Sequence, residues 1–223
     1  MSSNISKREL LRRKRQQEKR KKTITFMAIA AALIVLIGLA AILPRIFNPN
    51  ANLEQVEGFY LGDPDAPVTV VEFSNYTCGH CKTFAETQEA DLISEYVDTG
   101  KVYFRYVNFS SDAEPAQNAA EASYCAADQN KFFDYKSYLF NNAFTEDGFS
   151  TESLINYAES ADLDVNEFST CLDSDTFQFA YLEDKEYART VGIPGTPSFL
   201  VNDELVYASE LFTTIDEALK GDS

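Results

Sequence analysis

The spacing of apolar residues changes along the chain and predicts its first elements. Residues 23–43 form one uncharged apolar run, and about 20 helical residues are enough to cross a bilayer core of roughly 30 Å. Residues 68–73 form a shorter apolar run that predicts a buried strand. Residues 82–97 predict a helix, and residues 101–109, rich in β-branched and aromatic side chains, predict a second strand. This order indicates a βαβ unit with a parallel pair of strands.

The middle of the chain has a helical pattern, and strands resume near the C-terminus. A helical block is predicted over residues 111–190, and its last helix over residues 175–190. The candidate inward residues of that last helix are Phe177, Ala180, Leu182 and Ala188. Two further strands and a closing helix are predicted at residues 197–201, 205–207 and 211–220.

Charge divides the chain into two parts. Residues 1–50 carry 11 basic and 2 acidic side chains, whereas the remaining residues carry 8 basic and 33 acidic side chains. The acidic part should repel nucleic acid and anionic membrane surfaces, so we expect no nucleic-acid partner. The simplest interpretation is a solvated acidic coat that maintains solubility, and the alternatives are adaptation to salt and weak binding of divalent cations.

The N-terminal part predicts attachment to a membrane. A basic tail, residues 1–23, precedes an apolar segment, residues 24–43, and basic residues before a span stay in the cytoplasm. We therefore expect an uncleaved single-pass anchor in the cell membrane, then a polar linker at residues 44–55 and an extracytoplasmic domain at residues 56–220. One alternative is a cleaved signal peptide, although both the basic region and the apolar segment are long for one. The other is a tail that binds nucleic acid, which its position next to a span disfavours.

The candidate chemistry of the chain lies in the motif Cys78-Gly79-His80-Cys81, between the first strand and the helix. The unpaired N–H groups of a helix N-terminus favour an anion, so the pKa of Cys78 should be lowered. Protonated His80 would add a cation beside the thiolate, and Cys81 can close a small disulfide ring. The motif therefore predicts thiol–disulfide exchange.

Two other interpretations of the motif are half of a zinc site and a structural disulfide. The chain has no second pair of ligands at metal spacing, and His80 is its only histidine, which disfavours zinc. A disulfide that closes so short a loop removes little entropy from the unfolded chain, so it would stabilise little. We therefore expect no metal and no bound cofactor.

Three motifs, in this order, resemble the DsbA-like thiol–disulfide oxidoreductases of the thioredoxin superfamily. Residues 66–76 lead into the cysteine motif, residues 122–126 lie in the helical block, and residues 192–199 precede the last strands. The resemblance covers about residues 56–220. It implies an α/β thioredoxin fold with an inserted helical domain, and an enzyme that introduces or shuffles disulfides.

The pair between the two cysteines, Gly79-His80, departs from the DsbA pattern, in which proline precedes the histidine. It is closer to the protein disulfide isomerases. A histidine at this position stabilises the thiolate of the reduced form, so the disulfide becomes the better oxidant. This feature favours disulfide donation or shuffling over reduction.

The resemblance also implies roles for residues outside the motif. It implies a cis Thr196-Pro197 bond facing the disulfide, which would leave backbone groups free to hold a substrate segment; the alternative is an ordinary trans turn proline. Glu72 matches the buried acid of the family and would exchange protons with Cys81, the alternative being a surface carboxylate. The basic partner of that acid is not identified by the motifs, and Arg105 in the second strand is a nearby candidate.

The other two cysteines, Cys125 and Cys171, fall in predicted helices of the insert. All four cysteines lie beyond residue 77, in the part that we expect outside the cytoplasm, where thiols oxidise. We expect Cys125 and Cys171 to form a structural disulfide. The alternative is two buried free thiols that pack as small hydrophobic residues.

Three functions agree with the sequence. The leading one is a membrane-anchored dithiol oxidase of unfolded or reduced secreted polypeptides, for which the resemblance implies a quinone-coupled membrane reoxidase of the DsbB or VKOR kind. The second is a membrane-tethered thiol reductase of the cytochrome c maturation type. The third is a binding module in which the disulfide is only a switch. The reduction potential separates the first two, and turnover of a reduced substrate separates both from the third.

Overall fold

The computed structural model describes residues 57–174, 176–177 and 180–221. The predicted basic tail, membrane span and linker, residues 1–55, lie outside these residues, and so does the expected start of the domain at residue 56. Within the described residues, no helix combines the length and the apolar character needed to cross a membrane.

A mixed sheet forms the centre of the described part. Its strands are β1 (Tyr60–Leu61), β2 (Val68–Ser74), β3 (Val102–Asn108), β4 (Ser198–Val201) and β5 (Glu204–Val206). In space they follow the order β1-β3-β2-β4-β5, with β2 and β3 parallel and the other neighbours antiparallel. Every residue of β2 except Thr69 is buried. Because both faces of this central strand are covered, its sequence is an almost continuous apolar run.

Eight helices pack around the sheet in the part of the chain that the structure describes. They are α1 (Gly79–Thr87), α2 (Glu89–Leu92), α3 (Glu114–Asp128), α4 (Phe132–Asn142), α5 (Thr151–Ser160), α6 (Val165–Asp173), α7 (Ala180–Thr190) and α8 (Leu211–Gly221). The single helix predicted over residues 82–97 is interrupted at Gln88, whose φ of −130° and ψ of −28° are not helical. A π-helical turn, Ile93–Val97, follows α2. Beyond the interruption, Glu89 is buried.

The insert consists of α3 to α7 and packs on both faces of the sheet. On one face, Val70 and Phe104 pack with α1, α2 and α8. Further along the same face, Tyr106 packs with the aromatic residues of α4. The opposite face carries Phe73, which α7 covers. The thioredoxin fold with a helical insert is therefore the observed architecture.

The last helix of the insert differs from its prediction. In the described residues it begins at Ala180. Leu182, which we expected to face inward, is 43% exposed, whereas Tyr181 and Ala188 are buried. The inward face also includes the polar Asp184, because positions 181, 184 and 188 share one side of a helix. The prediction for Leu182 was wrong because it followed apolar residues alone.

A disulfide joins the first helix of the insert to a later one. It connects Cys125 of α3 with Cys171 of α6, whose Cα atoms are 5.8 Å apart, and the two residues are 46 positions apart in the chain. Cys125 is buried in the aromatic core of the insert, and Cys171 packs at its edge. The bond therefore fixes α3 against α6.

We expect the variant Cys125→Ala/Cys171→Ala to melt well below the wild type. A loop of this length stabilises by roughly 4 kcal/mol on the chain-entropy estimate, which corresponds to a fall of about 10 °C in melting temperature for a domain of this size. Thermal unfolding followed by circular dichroism tests this. Reductant should lower the melting temperature of the wild type towards that of the variant, and equal melting temperatures without reductant would contradict a structural role.

Candidate active site

The cysteine motif lies where the central strand ends and α1 begins. A turn joins them, in which the Cys78 N–H donates to the Asn75 carbonyl at 3.0 Å and the Thr77 N–H donates to the Asn75 side chain at 3.0 Å. Cys78 is the N-cap residue of α1, with an extended backbone at φ −98° and ψ 120°. Both Cys78 and Cys81 are free thiols, the first half-buried and the second fully buried. The N-cap position directs the unpaired N–H groups of the first turn towards the sulfur of Cys78.

The pKa values of the two thiols are shifted in opposite directions. Desolvation raises the pKa of Cys78. Hydrogen bonds with the Thr196 side chain, with the backbone and side chain of Cys81 and with the His80 backbone lower it by more, so the net pKa is lowered. Desolvation raises the pKa of Cys81 to about 12. Cys78 therefore ionises first, and Cys81 stays protonated at neutral pH.

A loop before β4 faces the more acidic sulfur. The Thr196-Pro197 peptide bond is cis, and the Cys78 thiol donates to the Thr196 carbonyl at 3.3 Å. Beside it lies a cavity of about 520 Å³, lined by this loop and by His80, Phe84 and Tyr207. His80 is exposed. The structure thus places His80, Thr196 and Pro197 around one cavity, and Cys78 contacts the Thr196 carbonyl beside it.

Glu72 lies on β2 and is completely buried. Burial raises its pKa to about 7, against the lowering effect of the Lys136 ammonium. The neighbour that Glu72 and Cys81 share is Ser74, which lowers the pKa of both. The alternative of a surface carboxylate is therefore wrong, and Glu72 is an acid that titrates near neutral pH.

The cation beside Glu72 comes from the insert. The Lys136 ammonium of α4 lies 3.9 Å from a Glu72 carboxylate oxygen and also pairs with Glu89 of α2. It lies 4.7 Å from the centroid of the Tyr106 ring. Because Lys136 is only 3% exposed, the two carboxylates and the ammonium form a buried charge cluster beneath α1.

Arg105, the candidate partner of Glu72, is instead paired with Asp184 at 3.7 Å. The register of the parallel pair explains this, because Arg105 lies opposite Val71 and Tyr106 lies opposite Glu72. Successive residues of a strand point to opposite faces, so Arg105 and Glu72 are on different sides of the sheet.

Sequence reasoning did not identify Lys136, although a signal exists. Phe132, Lys136 and Phe140 recur at a spacing of four, which places them on one face of a helix. Both phenylalanines are fully buried, so a lysine between them must also point inward. A lysine buried in this way is rarely tolerated without a charged partner.

We expect the reduced protein to show one thiolate with a pKa below that of a free thiol and one with a pKa well above it. Ultraviolet absorbance of the thiolate, measured against pH, tests this, with Cys78→Ser and Cys81→Ser as the controls that assign the two transitions. Alkylation near neutral pH should modify Cys78 first. An ordinary pKa for Cys78, or faster alkylation at Cys81, would contradict the assignment.

The chain is similar to proteins of known sequence and structure. The profile of the family described as Thioredoxin matches residues 54–221. Disulfide bond formation protein D of Bacillus subtilis is 31% identical over 170 residues, which span 72% of this chain and 77% of that protein. The crystal structure of oxidised BdbD from Bacillus subtilis is 29% identical with a TM-score of 0.68, over 74% of this chain and 95% of that one. The crystal structure of alpha-DsbA1 from Wolbachia pipientis, at 24% identity and a TM-score of 0.65 over 73% of this chain and 91% of that one, shares the fold.

Proposed function

This chain belongs to the thioredoxin family, and we propose that it forms disulfides in polypeptides outside the cytoplasm by donating its Cys78–Cys81 disulfide. It is a protein-disulfide oxidoreductase with a DsbA-like helical insert. The observation that carries the proposal is the difference between its two sulfurs, one accessible with a lowered pKa and one buried with a raised pKa. A stabilised Cys78 thiolate favours the reduced pair, so the oxidised pair is a good disulfide donor.

Donation proceeds through one mixed disulfide. A substrate thiolate attacks the Cys78 sulfur of the oxidised pair, the Cys78–Cys81 bond breaks, and Cys81 leaves with the bonding electrons and takes up a proton. A second substrate thiolate then attacks the substrate sulfur bound to Cys78, and Cys78 leaves as a thiolate. The substrate loses two electrons and gains a disulfide, and the cysteine pair gains the same two electrons.

Glu72 supplies the proton to Cys81 in this scheme. A general acid works best when its pKa is close to the working pH, and the pKa of Glu72 is raised to about 7. Ser74 is the neighbour that both groups share. Thr196 and Pro197 hold the substrate chain next to Cys78, since free backbone groups of this loop can pair with an extended segment.

Transfer of the Cys78–Cys81 disulfide to a reduced substrate tests the proposed function. Oxidised full-length chain, solubilised in detergent, is mixed with a reduced unfolded protein that contains two cysteines. One substrate disulfide should appear for each Cys78–Cys81 disulfide that is lost, as measured by alkylation and mass spectrometry. If the pair stays oxidised while the substrate stays reduced, the proposed function is wrong.

We also propose that the domain is held at the outer face of the cell membrane. The support is the sequence: a basic tail at residues 1–23, an apolar segment at residues 24–43, a linker at residues 44–55 and a domain at residues 56–220, with a helical insert at about residues 111–190. Its substrates would be reduced secreted polypeptides. A membrane reoxidase that passes two electrons to a quinone, of the DsbB or VKOR kind, would restore the Cys78–Cys81 disulfide.

For the topology we expect protease, added to intact spheroplasts, to degrade the domain and to spare the basic tail. The physical reason is that basic residues before a span are retained in the cytoplasm. Immunoblots against a tag at each end read the result, with permeabilised spheroplasts as the control in which both tags are lost. A soluble form that begins near residue 41 would instead show a cleaved signal peptide.

A further inference from the structure

An exposed aromatic residue follows α4 at the edge of the active site. Phe144 is 61% exposed, more than any other large hydrophobic side chain in the described residues. Its loop is closed by hydrogen bonds: the Thr145 N–H donates to the Asn142 carbonyl at 3.1 Å, and the Gly148 N–H donates to the Thr145 carbonyl at 3.3 Å. A side chain at Gly148 would collide with the Asn142 carbonyl oxygen. The loop therefore has a defined shape that leaves the ring of Phe144 in solvent.

Phe144 is a neighbour of the cysteine motif. Its ring lies 4.0 Å from the position that a Cβ atom on Gly79 would occupy, and the Lys82 ammonium lies 6.0 Å from its centroid. Lys82 also donates to the Asn141 carbonyl at 3.2 Å. These contacts place the ring beside the first turn of α1.

The first turn of α1 has a different surface on each side. Gly79 and Lys82, three positions apart, face Phe144. His80 and Phe84, four positions apart, line the cavity next to the cis-proline loop. Residues with these spacings share a helix face. Cys78 precedes both faces, so a polypeptide bonded to its sulfur has the cavity on one side and Phe144 on the other.

We propose that Phe144 is a specificity-determining residue that binds an apolar side chain next to the cysteine of the substrate polypeptide. The inference rests on the proposed function and adds a second contact area, on the insert, to the cavity beside Pro197. The occupant is a reduced, extended polypeptide, because the mixed disulfide holds such a chain within reach of the ring. Aromatic residues contribute large contact areas at low cost in side-chain entropy.

The experiment compares three dithiol substrates of the oxidised full-length chain. Two are peptides that differ only in having phenylalanine or serine beside one cysteine, and the third is dithiothreitol. Phe144→Ser should lower the second-order rate constant, with which the phenylalanine peptide reduces the Cys78–Cys81 disulfide in a single turnover, by about tenfold, the size expected for loss of one apolar anchor. It should leave the serine peptide, dithiothreitol and the melting temperature unchanged. Phe144→Leu should retain most of the preference, and Leu182→Ser, which changes an exposed residue of α7, should retain all of it.

Each other result overturns the inference. An equal loss for all three substrates would mean that the ring acts on the cysteines. An unchanged rate for the phenylalanine peptide would mean that the substrate does not touch the ring of Phe144. If the wild type oxidises none of the three substrates, the proposed function itself is wrong.

Discussion

Replacement of Cys78 by serine is expected to abolish disulfide transfer, reducing it to the uncatalysed background. Every step of the exchange forms or breaks a bond at this sulfur, and a hydroxyl cannot take its place. Cys81→Ser should behave differently. It retains the accessible thiol of lowered pKa but lacks the sulfur that expels a bound partner. When its Cys78 thiolate attacks a polypeptide that carries a disulfide, one substrate sulfur leaves as a thiolate and the mixed disulfide through Cys78 should accumulate.

Two measurements distinguish the variants. The first is the rate of oxidation of a reduced two-cysteine protein, compared with the wild type and with Cys125→Ala/Cys171→Ala, which should stay active at a temperature where it is folded. The second is the mass of the adduct on non-reducing gels and in peptide maps. Turnover by Cys78→Ser, or a substrate adduct on Cys81 of the wild type, would contradict the assignment of roles.

Replacement of Lys136 by methionine is expected to destabilise the protein by roughly 3–5 kcal/mol at pH 8, because it leaves two buried carboxylates without their cation. Methionine keeps most of the apolar volume of the side chain, so the loss reports the charge. Lys136 lowers the pKa of Glu72, so its removal should raise that pKa further. The loss should therefore be smaller at pH 5, where Glu72 is protonated in both proteins.

The stability of the wild type depends on pH because protonation of Glu72 is linked to folding. The pKa of Glu72 is raised from 4.5 in the unfolded chain to about 7 in the folded chain, so the folded state binds the proton more tightly. Protonation of Glu72 therefore stabilises the folded state fully below pH 4.5, and this stabilisation is lost as the pH rises to about 7. Denaturant unfolding at pH 5 and pH 8 measures the difference.

Two control variants separate the buried cluster from general effects. Lys131→Met removes a lysine that pairs with the exposed Asp134, and it should change stability by no more than about 0.5 kcal/mol. Lys136→Met/Glu72→Gln should recover part of the loss at pH 8, because one uncompensated charge is gone. Equal stability of Lys136→Met and the wild type at both pH values would mean that the cluster does not carry the charges assigned to it.

The sequence predicts the centre of this fold well because local pattern and burial agree there. The apolar run that became β2 lies between two covered faces, so almost every residue had to be apolar. The position of Cys78 at the start of α1 follows from the change between strand and helix patterns. The interruption at Gln88 leaves no such signal, since its neighbours have ordinary helical propensities and the apolar pattern continues beyond it.

The charged groups were harder to predict because their partners are far apart in the chain. Lys136 meets Glu72 across 64 positions, and Arg105 meets Asp184 across 79. Which partner a strand residue meets depends on its face, and a shift of one residue in register would have exchanged the faces of Arg105 and Tyr106. The isomer of the Thr196-Pro197 bond likewise depends on surroundings that a sequence does not display.

Redox titration of the Cys78–Cys81 pair tests the central claim most directly. The full-length chain, solubilised in detergent, is equilibrated in glutathione buffers, and the oxidised fraction is measured by alkylation and mass spectrometry. Disulfide donation predicts a potential clearly above the roughly −270 mV of thioredoxin, in the range between about −180 mV for protein disulfide isomerase and about −120 mV for DsbA. A potential at or below about −270 mV would contradict donation and indicate a membrane-tethered reductase.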